Sequence, residues 1–400
     1  MSRREVKLSE SVEWVGVVDW GIRDFHGYVT HRGTSYNSYL VKGEKTALVD
    51  TVKSPFAGEL LRNIDEATGG KGVDFLVANH VEPDHSGSMA AVIGKYPGTP
   101  IYCTEKGKKG FIAYYREQGA ADWNWNIVKS GDTLDLGHLT LHFLEAPMLH
   151  WPDSMFTYVA EEKVLLPNDG FGQHLASEGR FDDEVDECEL LQEAETYYAN
   201  ILWPLGNLIE RKLAEVQKMG IEIDVIGPSH GIIWRKNPGK IIELYSKWAA
   251  NETESRAVIA YDTMWGSTEI MAREIARGLS ARGVENKVLH LRRSENSDIV
   301  AAMLTARALV FGAPTLNNLM YPTMARFLEY LKGLKPKNRV AGAFGSYGWG
   351  GGAVKEMART LEEMKLDVCE TRPGAVFRPD GDALAQCDKL AEEVAGKIII

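Results

Sequence analysis

A chain of 400 residues with a net charge of −11 is too long for one ordinary core and too acidic for nucleic acid to be its main partner. Its composition, 44% hydrophobic and 25% charged, is that of a globular protein, and no apolar run reaches the length of a membrane span. Cys103, Cys188, Cys369 and Cys387 form no C-x-x-C pair, which argues against a disulfide framework, a zinc ribbon or a rubredoxin-type iron site within this sequence. The opening stretch MSRREVKLSE is charged and has no apolar signal region, so a cytoplasmic location is expected.

Taken in order, residues 12–52 read as short strands with turns. His26 lies in one of those turns, and a single loop histidine is ordinarily just a hydrogen-bonded loop residue, the role expected here. Residues 54–67 fit a helix with Ser54 as N-cap and Pro55 at its first position. The apolar run 75–78 is a buried strand leading into NHVEPDHSGSM, which places His80, Glu82, Asp84 and His85 within six positions. Four such side chains cannot pack as inert core, because their lone pairs and charges need neutralising. A metal does that. A strand at 101–103, a helix at 104–119 and a strand at 139–144 follow, and then a loop carrying His150. The strand 163–166 ends before Asp169. Residues 184–218 are helical in pattern, kinked or divided by Pro204. The strand 224–226 ends before His230. All seven candidate ligands thus fall in loops just past apolar strands, and in layered α/β folds such loops gather at one edge of the sheet.

The polar stretch 250–256 reads as a linker between a first domain, 1–249, and a second, 257–400. In the second, strands at 257–261, 287–291, 308–311 and 340–344 alternate with five helical segments, which predicts a parallel sheet with helices on both faces. Between its first strand and helix lie Thr263, Met264, Trp265, Gly266, Ser267 and Thr268, and hydroxyls with backbone N–H groups at a helix N-terminus form a phosphate site. The pattern is not a Walker loop. Two more strand-end loops accompany it: Pro314, Thr315, Leu316, Asn317 and Asn318, then Ser346, Tyr347, Gly348, Trp349, Gly350 and Gly351. Small residues let a ring approach the backbone, and the aromatics can stack on it. A partial dinucleotide fingerprint at 348–353, with Glu370 ~20 residues on, is set aside because it follows the fourth strand and not the first.

The spacing H-x-E-x-D-H, with later His, Asp and His on strand-end loops, resembles the metallo-β-lactamase-like fold. Glu82 stands where that superfamily's signature has a second histidine, and a carboxylate-rich site suits iron or manganese better than a His-dominated zinc site does. With the flavodoxin-like loops behind it, the chain resembles the flavodiiron proteins over nearly its whole length. The resemblance implies a metallo-β-lactamase-like αββα sandwich followed by a flavodoxin-like doubly wound sheet. It implies two irons, His80, Glu82 and His150 holding one, Asp84, His85 and His230 the other, and Asp169 between them. His174 matches no ligand position and is expected to support the site or to play no part. FMN is implied in the three loops. The implied reaction reduces dioxygen to water, nitric oxide to nitrous oxide, or both. Electrons would come from a separate rubredoxin-like protein or a reduced deazaflavin, and the chain would act as a head-to-tail homodimer. The basic residues Lys332, Lys335, Lys337 and Arg339 are a candidate docking patch for an acidic donor, although a solvated loop is the simpler reading. A zinc hydrolase of the same fold with an appended flavodoxin module is the alternative, and an electron carrier with a degenerate metal site is another.

Overall fold

The computed structural model describes residues 4–398. Residues 1–3, part of the charged N-terminal stretch, and 399–400, at the end of the second expected domain, lie outside the described residues. The chain divides into two compact units, Met1–Tyr197 with Asn207–Ser246, and Tyr198–Gly206 with Lys247–Ile400.

Beside two short two-stranded sheets, the first unit holds two large ones. One has the order Val12–Trp14, Tyr39–Lys42, Thr46–Val49, Phe75–Val77, Ile101–Cys103, Trp125–Ile127, antiparallel at first and parallel from Thr46–Val49 onward. The other has the order Thr133–Asp135, Thr140–Glu145, Met155–Val159, Val164–Leu166, Val225–Ile226. Alternation along the strands sets the layers. Val41, Val49 and Val77 point to one side and pack with Leu141, Phe143 and Val159 of the second sheet. Leu40, Leu48 and Leu76 point to the other, against Leu60, Ile64, Val92 and Phe111 of the helices Ala57–Thr68, Met89–Lys95 and Glu105–Tyr114. Each fully buried Leu or Val contributes about 1.5–3 kcal/mol, so both faces of this sheet add to the core.

One local feature differs from expectation, and a second stretch divides where Pro204 predicted. Ser54 is not a helix cap: Ser54–Phe56 forms a 3₁₀ turn with no capping side chain, and the α-helix starts at Ala57. The 184–218 stretch is broken into the helix Glu187–Tyr197, a π-turn at Tyr198–Leu202, a 3₁₀ turn at Trp203–Leu205 and the helix Gly206–Lys218. Pro204 sits at the break, where its missing N–H cannot continue an α-helix.

The second unit is a parallel sheet in the order Glu285–His290, Glu254–Tyr261, Ala306–Gly312, Val340–Tyr347, Asp367–Val368, with Gly374–Val376 paired further along Val340–Tyr347. The second strand in this order, Glu254–Tyr261, begins inside the 250–256 stretch. On one face Met271, Ile275 and Leu279 of the helix Ser267–Ala281 pack with Leu390, Val394 and Ile398 of Gly381–Ile398. On the other, Phe311 meets Phe327 of the helix Pro322–Leu334. The excursion Tyr198–Gly206 is part of this unit. Trp203 Nε1 donates to Asn251 Oδ1 at 3.1 Å, Asn200 donates to Ser297 O, and Tyr330 OH donates to Asn200 Oδ1 at 2.7 Å.

Of the four basic residues Lys332, Lys335 and Lys337 are exposed, but Arg339 is not part of that surface. Arg339 is buried, donates to the carbonyls of Leu304 and Lys337, and lies over the Trp203 ring. Lys332 pairs with Glu363 at 3.2 Å. Among the described residues no helix is long and apolar enough to cross a membrane.

Candidate metal centre and a cavity in the second unit

The strand Phe75–Val77 delivers its chain to a turn that is fixed from outside. The Asp50 carboxylate accepts from Asn79 N at 2.7 Å, from the Asn79 amide at 3.1 Å and from the Asn168 amide at 3.1 Å. One buried acid therefore ties together the loops that carry His80 and Asp169. Pro83 opens the short helix Pro83–Ser86, which turns Asp84 and His85 inward. Asp153 Oδ2 accepts from Val81 N at 2.7 Å and lies 3.0 Å from His80 Nδ1, so His80 presents Nε2 to the interior. His230 is oriented likewise: its Nδ1–H donates to Ser35 O at 2.9 Å. Next to it, Gly231 has φ +74° and a Cβ there would meet Gln173 Oε1 at 1.4 Å, so only glycine fits.

These loops bring the seven expected ligands into one buried cluster. Glu82 Oε2 lies 3.3 Å from His80 Nε2 and 3.4 Å from His150 Nε2. Asp84 Oδ2 lies 3.1 Å from His85 Nε2 and 3.0 Å from His230 Nε2. Asp169 stands between the two groups and divides its oxygens. Its Oδ2 is 3.2 Å from His150 Nε2 and 3.6 Å from His80 Nε2, whereas its Oδ1 is 2.9 Å from His85 Nε2 and 3.4 Å from His230 Nε2.

The carboxyl oxygens of Asp84 and Asp169 and the Nε2 atoms of His85, His150 and His230 are buried and make no hydrogen bond. Leaving so many polar atoms unmatched costs a few kcal/mol for each, and a bound cation removes that cost. The donors are imidazoles and carboxylates without a thiolate, a set that suits iron or manganese as well as zinc. Electrostatics within the cluster are strong. Burial would raise the Glu82 carboxyl, but the imidazoles of His150, His26 and His80 hold it well below the usual carboxylate range. Burial would lower His85, but the Asp169 and Asp84 carboxylates raise it to about 9. Against the same effect of burial, Asp169 and Glu82 raise His150 to about 8.

His26 is a correction to the sequence reading. It is not an ordinary loop residue: its side chain is 9% exposed and its Nε2 lies 3.4 Å from Glu82 Oε1. His174 is buried, with Nδ1 2.8 Å from Thr34 Oγ1 and Nε2 3.4 Å from His26 Nδ1. Burial, with His230 and His26 nearby, keeps its imidazole far below the usual range and hence neutral. Sequence reading also missed Asp50, Asp153 and Tyr197. The Tyr197 hydroxyl is buried with no hydrogen-bond partner among the described residues, its ring 6.2 Å from that of His230. None of the three sits at a recognisable spacing from the ligands.

In the second unit the strand Glu254–Tyr261 runs through Asp262 into the helix Ser267–Ala281. Gly266, at φ +86°, precedes the helix and its N–H donates to Thr263 Oγ1 at 3.0 Å. Asp262 is fully buried and accepts from Arg292 Nε at 2.9 Å and from the Thr323 hydroxyl, which fixes the start of the loop. A cavity of about 720 Å³ opens beyond it. Its wall includes Met264, Trp265 and Ser267, all five residues from Pro314 to Asn318, and the five from Ser346 to Gly350. Thr263, Gly266, Thr268 and Gly351 are not in the wall; Thr268 is buried with its Oγ1 3.0 Å from Ser346 Oγ, behind the loops. Asn317 and Asn318 both have positive φ between the strands Thr315–Leu316 and Leu319–Met320, the type I′ turn of a two-residue hairpin. Ile270, Phe377 and Arg378 line the cavity and were not anticipated. An aromatic phosphate ester fits this setting: hydroxyls and a helix N-terminus suit a phosphate, and Trp265, Tyr347 and Trp349 offer aromatic faces.

Residues 34–231 match the family model described as ODP family beta lactamase, and residues 259–393 match the flavodoxin model. The chain is 48% identical over 396 residues to the nitric oxide reductase of Moorella thermoacetica, covering 98% of each. It is 37% identical to the rubredoxin oxygen:oxidoreductase of the anaerobe Desulfovibrio gigas, with a TM-score of 0.95 and coverage of 99% of this chain and 98% of that one. It is 34% identical to the flavodiiron protein of Giardia intestinalis, with a TM-score of 0.93 over the whole of both chains. The chain belongs to the flavodiiron proteins. This flavodiiron protein is an oxidoreductase, with a metallo-β-lactamase-like unit followed by a flavodoxin unit.

Proposed function

We propose that this flavodiiron protein reduces nitric oxide to nitrous oxide, dioxygen to water, or both, using two irons and one FMN per chain. The observation that carries the reading is the division of the Asp169 oxygens between two groups of ligands. His80, Glu82 and His150 would hold one iron and Asp84, His85 and His230 the other, with Asp169 giving one oxygen to each. The irons, when bound, supply a Lewis-acid site and electrons for the oxidant, and FMN relays electrons from the donor. The protein's own residues position and protonate. Asp153 and Ser35 O fix the rotation of His80 and His230, and the apolar packing around the loops limits water. Both reductions consume protons. His26 Nε2 beside Glu82 and the Tyr197 hydroxyl are groups from which a proton can be passed at the edge of the cluster. The names of the Moorella and Desulfovibrio relatives support both oxidants, and the latter supports a rubredoxin-like donor, with reduced deazaflavin as the other candidate.

A head-to-tail homodimer belongs to the same reading. Trp265 is 90% exposed and Trp349 94% exposed at the flavin cavity, and uncovered tryptophans of that kind are suited to a partner surface. A cytoplasmic location is supported by the four unpaired cysteines.

The test is metal and flavin stoichiometry on anaerobically purified protein, followed by reoxidation of the reduced enzyme by each gas. Two irons, one FMN and reoxidation by either gas are expected. Zinc with ester hydrolysis would establish the hydrolase instead, and FMN without metal the electron carrier. A narrower expectation concerns Asp153→Asn. It keeps the size but loses the charge behind His80, and metal affinity in equilibrium dialysis should fall roughly 10–100-fold. Undiminished affinity would remove Asp153 from the account.

A further inference from the structure

The Gly374–Val376 strand ends at the flavin cavity with its register fixed. Gly374, Ala375 and Val376 pair with Gly345, Ser346 and Tyr347 in parallel, and Phe377 N–H donates to Tyr347 O at 2.7 Å. The next two residues therefore emerge beside the Tyr347–Trp349 loop. Phe377 holds a left-handed φ of +54°, a conformation that is uncommon for a bulky aromatic, and yet it is 68% exposed. Its ring packs so closely on Gly348 that a Cβ there would meet it at 3.2 Å. That turn sends Arg378 into the cavity wall. Arg378 is exposed at the cavity mouth and makes no hydrogen bond or ion pair with the described residues, and no Asp, Glu, Lys, His or second Arg lines the cavity. An unpaired guanidinium in an otherwise uncharged cavity is available to a ligand.

Its place in the sheet decides which part of the ligand. The phosphate loop follows Glu254–Tyr261, and Gly374–Val376 lies three strands away across Ala306–Gly312 and Val340–Tyr347. At about 4.8 Å per strand that is roughly 14 Å, so Arg378 starts away from the phosphate loop, on the side of Tyr347 and Trp349. We propose that Arg378 is a potential-setting residue: it faces the ring of the bound flavin and favours the reduced form over the oxidised form. The inference rests on the FMN reading given above. Its chemistry is simple charge balance. Taking up two electrons and one proton gives the ring one negative charge, and a nearby fixed positive charge stabilises that product more than the neutral oxidised ring.

The experiment compares the unaltered protein with Arg378→Gln and Arg378→Lys. Each is purified with FMN, its flavin reduction potential is measured, and its flavin-free form is titrated with FMN and with riboflavin. Arg378→Gln should lower the preference for reduced over oxidised flavin about tenfold, a fall of about 30 mV for a two-electron couple. Arg378→Lys should keep most of the potential, because the charge remains. An unchanged potential in Arg378→Gln overturns the proposal. So does a loss of FMN affinity with riboflavin affinity intact and potential unchanged, which would assign Arg378 to the phosphate. If the unaltered chain binds no flavin, the FMN reading itself fails, and this inference falls with it.

Discussion

Exchanging Asp169 for asparagine is expected to empty the metal centre and abolish oxidant reduction while FMN stays bound. The argument is one of symmetry. Each Asp169 oxygen serves a different pair of imidazoles, at 2.9 and 3.4 Å on one side and 3.2 and 3.6 Å on the other. An amide has one oxygen, so it can serve one side only, and it turns an NH₂ group toward the other. It also removes the negative charge that two cations would share. The loss in metal affinity should go well beyond the roughly 10–100-fold expected for an outer partner such as Asp153. Iron content, flavin absorbance and gas consumption measured on one preparation check this. Reduction of the flavin by a donor should survive, because the flavin cavity lies in the other unit. Two irons retained with turnover intact would mean that Asp169 does not join the two groups of ligands.

The second large effect concerns pH in the metal-free chain. His85 and His150 are raised to about 9 and about 8 by their carboxylate neighbours, against an unfolded value near 6.5. A group whose folded value is raised contributes stability that is complete below its unfolded value and disappears as pH climbs through its folded value. The metal-free protein should therefore lose stability between pH ~6.5 and ~9, on the order of 5 kcal/mol for the two groups together. His174 has the opposite sign. Its folded value is depressed, so it opposes folding increasingly as pH falls below ~6.5. Together they predict a maximum near neutrality in urea midpoints of the metal-free chain. Bound metal takes the place of the protons on His85 and His150, so the alkaline decline should vanish in the loaded protein. The same exchange requires that metal uptake near pH 7 release protons, which calorimetry in buffers of different ionisation enthalpy would detect. A flat alkaline profile for the metal-free chain would contradict the electrostatic account.

Much of this was legible in the residues themselves, and the exceptions share a cause. The strands could be read because Leu40-Val41, Leu48-Val49 and Leu76-Val77 sit in short apolar, β-branched runs bounded by turn residues, whereas the face that each residue takes is set by packing on both sides of the sheet. The flavodoxin unit was legible from its strict alternation of strand and helix. His26, Asp50, Asp153 and Tyr197 were not, because each meets the cluster through a loop or helix whose path is set by tertiary packing. Nothing in R-D-F-H-G-Y distinguishes an inward histidine from a solvated one. Arg339 misled for the same reason. Beside Lys335 and Lys337 it resembles a surface charge, and only the Trp203 ring and four backbone carbonyls around it reveal a buried clamp. Phe377 and Arg378 follow a three-residue strand, too short to declare itself by pattern.

The excursion Tyr198–Gly206 bears on how the chain can be made and rearranged. Trp203 and Asn200 emerge from the ribosome 48, 97 and 130 residues ahead of Asn251, Ser297 and Tyr330, the groups they finally bind. The metal unit must accommodate that unfinished stretch between Tyr197 and Asn207 while translation goes on. Nor can the two halves be swapped between relatives at a single crossover near residue 250. A recombinant of that kind would inherit its nine-residue excursion from one parent and the bed that receives it from the other, and the two would have to be exchanged as a set.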